Sequence, residues 1–230
     1  MFEDRRHAGR ALAHAVGQQL ETAGAIVLAL PRGGVPVAFE VAQALHLPLD
    51  VFVVRKLGVP GQEELAMGAV ASGGLVAVQR DVVRAFAISQ ETIDAAAARE
   101  REEVARAEAL YREQRPPVQV QGRTVILIDD GMATGSTMRA AARSLRPGVQ
   151  RVFVAVPVAA APTCAELRRE VDALVCLETP EPFHAVGEFY RDFDQTGEDE
   201  VRALLAAAYH ETAARAGEPP MAGPGAVPRW

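Results

Sequence analysis

Lysine is almost absent from this chain. Of the 24 lysine and arginine residues, Lys56 is the single lysine, and the formal net charge is −6. The chain therefore lacks the surplus of basic residues that is typical of proteins binding nucleic acid or anionic membranes through charge alone. The isolated position of Lys56 suggests a specific use, although codon bias would also leave one lysine in an arginine-rich chain.

Cysteine and long hydrophobic runs are also scarce. Cys164 and Cys176 form no Cys-x-x-Cys pair and have no paired histidines nearby, so the spacing of a metal site is missing. No run approaches the roughly 18 to 20 apolar residues that span a bilayer. Residues 2–7 are mostly charged and do not resemble the start of a signal peptide, so we expect a cytoplasmic protein without a membrane partner.

The sequence is rich in alternating strand and helix patterns. Its 230 residues, 49% of them hydrophobic, are enough to bury one sizeable core. The alternation predicts an α/β fold with a central, mostly parallel sheet flanked by helices. Short apolar runs predict strands at 25–30, 49–54, 124–128, 151–157 and 172–177, and helical spacing predicts helices at 4–22, 35–45, 136–145, 163–171 and 199–214.

Other segments depart from this alternation. Two short runs, 67–71 and 75–78, predict a hairpin, and residues 57–66 have the turn formers and charge of a mobile loop. Residues 89–115 predict one long, charged helix. We expect a single domain over 1–216, with its core at about 25–177, this helix as an insertion, an aromatic segment at 180–195, and a disordered tail at 217–230.

The junction between the most apolar strand and its following helix carries a distinctive loop. Asp129 and Asp130 are followed by Gly131-Met132-Ala133-Thr134-Gly135-Ser136-Thr137. Gly135 permits a tight turn, and the amides at a helix amino terminus, together with the helix dipole, favour a phosphate. The hydroxyl groups of Thr134, Ser136 and Thr137 would add hydrogen bonds.

The two carboxylates of this loop need a different partner, because like charges repel. Ribose hydroxyls donate hydrogen bonds to carboxylates, and a divalent cation would lower the repulsion between Asp129 and Asp130. A phosphorylated ribose carrying a metal-bridged pyrophosphate would satisfy both halves of the loop.

The segment 125–137 resembles the motif that binds 5-phosphoribosyl-1-pyrophosphate (PRPP) in type I phosphoribosyltransferases. The resemblance implies that fold, with a small hood at about 180–195. It implies roles for Asp129 and Asp130 in catalysis and in indirect contact with Mg²⁺ through PRPP or water. It further implies PRPP contacts by residues of the turn, namely Gly131, Met132, Ala133, Thr134, Gly135, Ser136 and Thr137.

Two further segments lie where this family has functional loops. Pro31-Arg32-Gly33-Gly34 resembles the pyrophosphate loop, in which Gly33 and Gly34 bind through amides and Arg32 adds charge to catalysis. Arg55-Lys56 resembles the pair that precedes the flexible catalytic loop, which implies PRPP binding by Arg55 and catalysis by Lys56. The loop at 57–66 departs from the pattern, because Gln62-Glu63-Glu64 replaces the basic residues often found there.

The acceptor is less well defined by the resemblance. Family members acting on 6-oxopurines usually have an aspartate three places after the acidic pair, and this chain has Ala133 there. Phe183 and His184 resemble the hood residues that contact the acceptor base, where aromatic stacking contributes about 1 to 3 kcal/mol in nucleic-acid sites.

The resemblance implies transfer of a phosphoribosyl group from PRPP to a base-like acceptor, with Mg²⁺ and without nucleic acid as a partner. A non-catalytic PRPP-binding regulatory protein with the same fold remains the alternative. A dinucleotide-binding oxidoreductase is disfavoured, because no Gly-x-Gly-x-x-Gly follows a strand. The residues leave the oligomeric state open, with a homodimer among the candidates.

Overall fold

The computed structural model describes residues 1–217 and has two sheets and seven α-helices within them. The strands are β1 (Ile26–Ala29), β2 (Leu49–Val51), β3 (Val54–Val59), β4 (Gln62–Ala71), β5 (Leu75–Val78), β6 (Thr124–Ile128), β7 (Arg151–Val158) and β8 (Ala173–Glu178). The helices are α1 (Arg5–Gln19), α2 (Gly34–Leu45), α3 (Arg80–Ala85), α4 (Gln90–Arg112), α5 (Ser136–Leu145), α6 (Ala161–Leu167) and α7 (Glu198–Ala216).

The central sheet has five parallel strands in the order β2-β1-β6-β7-β8. Strand β6 pairs on both sides, with β1 and with β7, as expected for the most apolar run. This confirms the predicted α/β fold and its central parallel sheet. In such a sheet the loops after the carboxyl ends of the strands meet at one edge, where ligands bind.

Helices cover both faces of this sheet, because alternate side chains of each strand point in opposite directions. Ile126 and Ile128 of β6 are fully buried in a cluster that includes residues of α1, α2, α4 and α7. Val125 and Leu127 are fully buried in a second cluster with residues of α5 and α6. A strand buried on both faces explains the uninterrupted apolar run in the sequence.

The second sheet corrects two sequence predictions. Residues 57–66, predicted to be a mobile loop, belong to an antiparallel hairpin of β3 and β4, with Val59 paired to Gln62 across Pro60-Gly61. Gly61 has a φ of 75°, the left-handed backbone that such a turn requires. Glu63 and Glu64 are exposed to solvent, so their charges are compatible with a strand at this position. The predicted strand 49–54 is divided, because β2 ends at Val51 and the chain then enters the other sheet.

The predicted long helix is present as α4, with Ser89 as its N-cap accepting a hydrogen bond from the amide of Thr92. The short helix α3, which the sequence analysis did not identify, precedes it. Gly217 ends α7, and the predicted disordered tail beyond that glycine lies outside the described residues. Among the helices of residues 1–217, none has the length and apolar character needed to cross a bilayer.

The hood segment at 180–195 is joined to the start of the chain, which the sequence did not reveal. The amide of Phe2 donates to the carbonyl of Phe189 at 2.8 Å, and the amide of Arg191 donates to the carbonyl of Phe2 at 2.9 Å. Phe2 and Tyr190 are buried together, with ring centres 5.6 Å apart. The amino terminus therefore packs against the hood at the β8 side of the sheet.

Candidate functional site

The loop between β6 and α5 is anchored on its outer side. Met132 pairs with Ala159 through backbone hydrogen bonds, and Thr163 Oγ1 donates to the carbonyl of Ala133 at 2.5 Å. Gly135 has a φ of 65°, and a Cβ atom there would lie 2.6 Å from Thr163 Cγ2. Glycine is therefore required at this position for both its backbone and its lack of a side chain.

The polar side chains of this loop face solvent at the amino terminus of α5. Thr134, Ser136 and Thr137 are exposed, and α5 begins at Ser136 as predicted. The first amides of a helix have no partner within the helix, so they are available to an anion. These hydroxyl groups and the first amides of α5 lie at the same end of the helix.

The acidic pair lies at the end of β6, half-buried. Asp129 Oδ1 accepts a hydrogen bond of 2.9 Å from the amide of Asp130. Burial, and then the neighbouring charge of Asp130, raise the pKa of Asp129 well above its ordinary value. Burial also raises the pKa of Asp130, although the Arg5 guanidinium opposes that shift. The ionised pair is therefore costly in this structure, and a cation or hydrogen-bond donors from a ligand would stabilise it.

Arg5 is a site residue that the sequence analysis missed. Its Nε donates to Asp130 Oδ2 at 2.8 Å, and its Nη1 donates to the carbonyl of Asp194 at 2.7 Å. The guanidinium carbon also lies 4.0 Å from the centre of the Phe193 ring. No local signal identified Arg5, because it lies on α1 and meets its partners only after the whole chain has folded.

The loop between β1 and α2 lies directly against the acidic pair. A Cβ atom on Gly33 would lie 2.1 Å from Asp130 Oδ2, and one on Gly34 would lie 2.8 Å from the carbonyl oxygen of Ile128. Both glycines are thus required by the close approach of the two loops. Arg32, in the same loop, is half-buried.

A cavity of about 350 Å³ opens beside this loop, on the β2 side. Arg32 and Thr137 line it together with residues that follow β2 and residues of α4 and α7. The polar side chains of this lining are Arg32, Arg55, Glu103, Arg106, Tyr111, Thr137 and Glu198. We call this space the β2-side cavity.

Lys56 lies outside the β2-side cavity. It is exposed on β3 and lines a neighbouring groove with Ser136 and Arg139 of α5. Arg55 lines the β2-side cavity and forms a 3.0 Å ion pair with Glu100. Both Arg55 and Lys56 also line a further groove together with Thr137.

The predicted acceptor residues of the hood, Phe183 and His184, have different surroundings. Phe183 stacks on Phe189 with ring centres 5.2 Å apart, and His184 is exposed. Tyr190 instead donates from its hydroxyl to the carbonyl of Asp130 at 2.6 Å, and a Cβ on Gly131 would lie 2.5 Å from Val186 Cγ1. The hood thus covers the acidic loop on the side away from the β2-side cavity.

Comparisons with known proteins agree with this architecture. A family model described as the phosphoribosyl transferase domain matches residues 2–194. Two proteins from strains of Mycobacterium tuberculosis, provisionally named as phosphoribosyl transferases, are 44% identical over 214 residues, which is 93% of this chain and 48% of each relative. This chain therefore spans about half the length of those relatives. The crystal structure of TT1426 from Thermus thermophilus is 43% identical, with a TM-score of 0.80, covering 89% of this chain and 97% of that one.

Proposed function

This chain belongs to the phosphoribosyl transferase family, and on that premise we propose that it transfers the 5-phosphoribosyl group of PRPP to a nitrogen of a base-like acceptor. One observation carries the proposal. The acidic pair, the glycines of the β1–α2 loop and the amino terminus of α5 converge at one edge of the sheet, with Gly33 in van der Waals range of Asp130. A ligand with a sugar, a monophosphate and a diphosphate would contact all three.

The expected placement of PRPP follows from the chemistry of each element. The 5′-phosphate would accept hydrogen bonds from the α5 amides and from Thr134, Ser136 and Thr137. The ribose hydroxyls would donate to Asp129 and Asp130. The diphosphate would lie along the amides of Gly33 and Gly34, with Arg32 adding positive charge.

The order of the strands supports displacement at the sugar. The hood lies on the β7 and β8 side of β6, and the β1–α2 loop lies on the opposite side. An acceptor under the hood would approach C1 of the ribose from one side. The C1–O bond would break toward the other side, its electrons leaving with the diphosphate, while the acceptor nitrogen forms its bond to C1 and loses a proton to water.

Magnesium fits this arrangement as an ion bound by both the protein and PRPP. Within residues 1–217, no three histidine, cysteine, aspartate or glutamate side chains form a metal cluster, so the two carboxylates would leave most positions to phosphate oxygens and water. The raised pKa of Asp129 fits a partner that supplies positive charge. Bound magnesium would supply that charge to the departing diphosphate.

The test begins with calorimetric titration of PRPP in the presence of Mg²⁺, followed by an assay of diphosphate release with a panel of purine and pyrimidine bases. We expect PRPP to bind, and diphosphate to be released only when one particular base is present. Asp129→Asn should abolish binding, and Asp81→Asn, an exposed aspartate on α3, serves as the matched control. Lys56→Gln should lower the rate more than the affinity if Lys56 acts in the transition state.

Two outcomes would contradict the proposal in different ways. Failure of the wild-type protein to bind PRPP would exclude both the transferase and the binding protein. Binding without diphosphate release for any base would favour the non-catalytic regulatory alternative.

A further inference from the structure

Helix α4 is held against the edge of the central sheet by a buried ion pair. Arg112 Nε donates to both carboxylate oxygens of Asp50, at 2.8 and 3.0 Å, and its Nη2 donates to the carbonyl of Val51 at 3.1 Å. The amide of Val118 also donates to Asp50 at 3.0 Å. Asp50 and Arg112 are 7% and 13% exposed, so α4 has a fixed position beside β2.

One face of α4 forms a wall of the β2-side cavity. Its lining positions follow the spacing i, i+3, i+4 and i+7, and are Glu103, Arg106, Ala107 and Leu110, with Tyr111 beside them. Pro31 and Arg32 of the β1–α2 loop line the same cavity, so α4 shares this space with the predicted pyrophosphate loop.

Tyr111 supplies a hydroxyl group to this wall of the cavity. The residue as a whole is 8% exposed and lines the cavity; its hydroxyl makes no hydrogen bond within residues 1–217 and is open to solvent, so it can donate to a ligand. Burial and then the charge of Glu198 raise the pKa of Tyr111, while Arg32 lowers it. Tyr111 and Arg32 line the same cavity, so a ligand that fills this space would meet both residues.

The order of strands indicates which part of a ligand reaches this wall. Along the sheet edge, β6 carries the acids, β1 carries the Arg32 loop and β2 leads to α4. With the ribose at β6, the group extending past β1 toward β2 is the diphosphate. Three arginines, namely Arg32, Arg55 and Arg106, line the space that this group would enter.

We infer that α4 is the leaving-group wall of the site, with the Tyr111 hydroxyl donating a hydrogen bond to the diphosphate and Arg106 pairing with it at the cavity mouth. The inference rests on the proposed function and adds a role for the helical insertion. Arg106 is 75% exposed and forms a 3.3 Å pair with Glu103, so its contribution is expected to be smaller than that of Tyr111.

The experiment compares two ligands that differ only in the diphosphate. PRPP and ribose 5-phosphate are each titrated with Mg²⁺ into the wild type, Tyr111→Phe and Arg106→Gln. Tyr111→Phe should reduce the preference for PRPP over ribose 5-phosphate by about tenfold, because it removes one hydrogen bond to a charged group. Arg106→Gln should reduce it by about threefold. The affinity for ribose 5-phosphate should be unchanged in both.

Matched controls separate a local effect from general damage. Tyr209→Phe removes a hydroxyl on α7, and Arg101→Gln removes the same charge from α4 at a side chain that reaches the carbonyl of Gly74 instead. Both controls should keep the wild-type preference, and thermal unfolding should show every variant folded.

The outcomes distinguish this inference from the proposed function. Full retention of the preference in Tyr111→Phe and Arg106→Gln would overturn the inference and leave the transferase proposal standing. A wild type that binds the two ligands equally would also overturn it, because the diphosphate would then contribute nothing. A wild type that binds neither ligand would reject the proposed function as well.

Discussion

Arg5 and Asp130 are 125 residues apart in the sequence and joined by a 2.8 Å hydrogen bond between Nε and Oδ2. Their side chains are 12% and 14% exposed. The bond connects the first helix to the end of the central strand, beneath the hood. Arg5 is thus positioned to hold the Asp130 carboxylate in its ionised form and in one orientation.

Arg5→Ala should destabilise the fold by about 2 kcal/mol, because it leaves a mostly buried carboxylate without its charged donor. It should also weaken PRPP binding, since the pKa of Asp130 would rise further without the guanidinium. Urea unfolding and calorimetric titration measure the two effects. Arg6→Ala removes a half-exposed arginine 3.7 Å from Glu40 and should change stability little. Equal effects of the two substitutions would show that the Arg5 pair has no special importance.

Asp129→Asn should stabilise the protein at pH 7. The pKa of Asp129 is raised in the folded state, so the folded protein binds this proton more tightly than the unfolded chain. Stability is therefore lost as pH rises from about 4 through the folded-state pKa, and the uncharged amide avoids that loss. Urea unfolding at pH 7 and at pH 4 measures the difference between the variants. We expect the gain to be much smaller at pH 4, where Asp129 is protonated in the folded protein and only partly ionised in the unfolded chain. A variant less stable than the wild type at pH 7 would contradict the prediction.

Gly33→Ala should abolish PRPP binding while the protein stays folded. The new Cβ would lie 2.1 Å from Asp130 Oδ2, so the carboxylate or the loop must move. Gly197→Ala is the matched control, because a Cβ there would meet nothing within 4 Å. Calorimetric titration compares the two variants, and wild-type affinity in Gly33→Ala would place the ligand away from this loop.

Tyr190→Phe should lower the free energy of unfolding by about 1 kcal/mol, because the hydroxyl donates to the carbonyl of Asp130 in a buried setting. Burial, and then the charge of Asp130, raise the pKa of this tyrosine, so it stays a donor throughout the neutral range. Urea unfolding measures the effect. Phe189→Leu tests whether the packing of the hood contributes to stability without the hydroxyl. If Phe189→Leu lowers the free energy of unfolding and Tyr190→Phe does not, the Tyr190 hydroxyl does not anchor the hood.

Much of the fold could be predicted from periodicity. The apolar run 124–128 predicted a central strand, and the start of α5 at Ser136 followed from the Gly135 turn. The hairpin at 57–66 was missed because its exposed faces carry Glu63 and Glu64, and charge on a solvent-facing strand resembles the composition of a loop. The split of the second strand was also missed, since an apolar run does not indicate that the chain changes sheets.

The sequence alone determined the acidic pair, the glycine turn and the helix that follows, because these are neighbours whose chemistry depends on local backbone geometry. Tertiary structure alone decided that Arg5 meets Asp130, that Tyr111 and Arg32 line one cavity and that the amino terminus packs against the hood. Contacts between residues so far apart depend on strand order and helix packing. No local pattern encodes them, and they form only when the whole core is assembled.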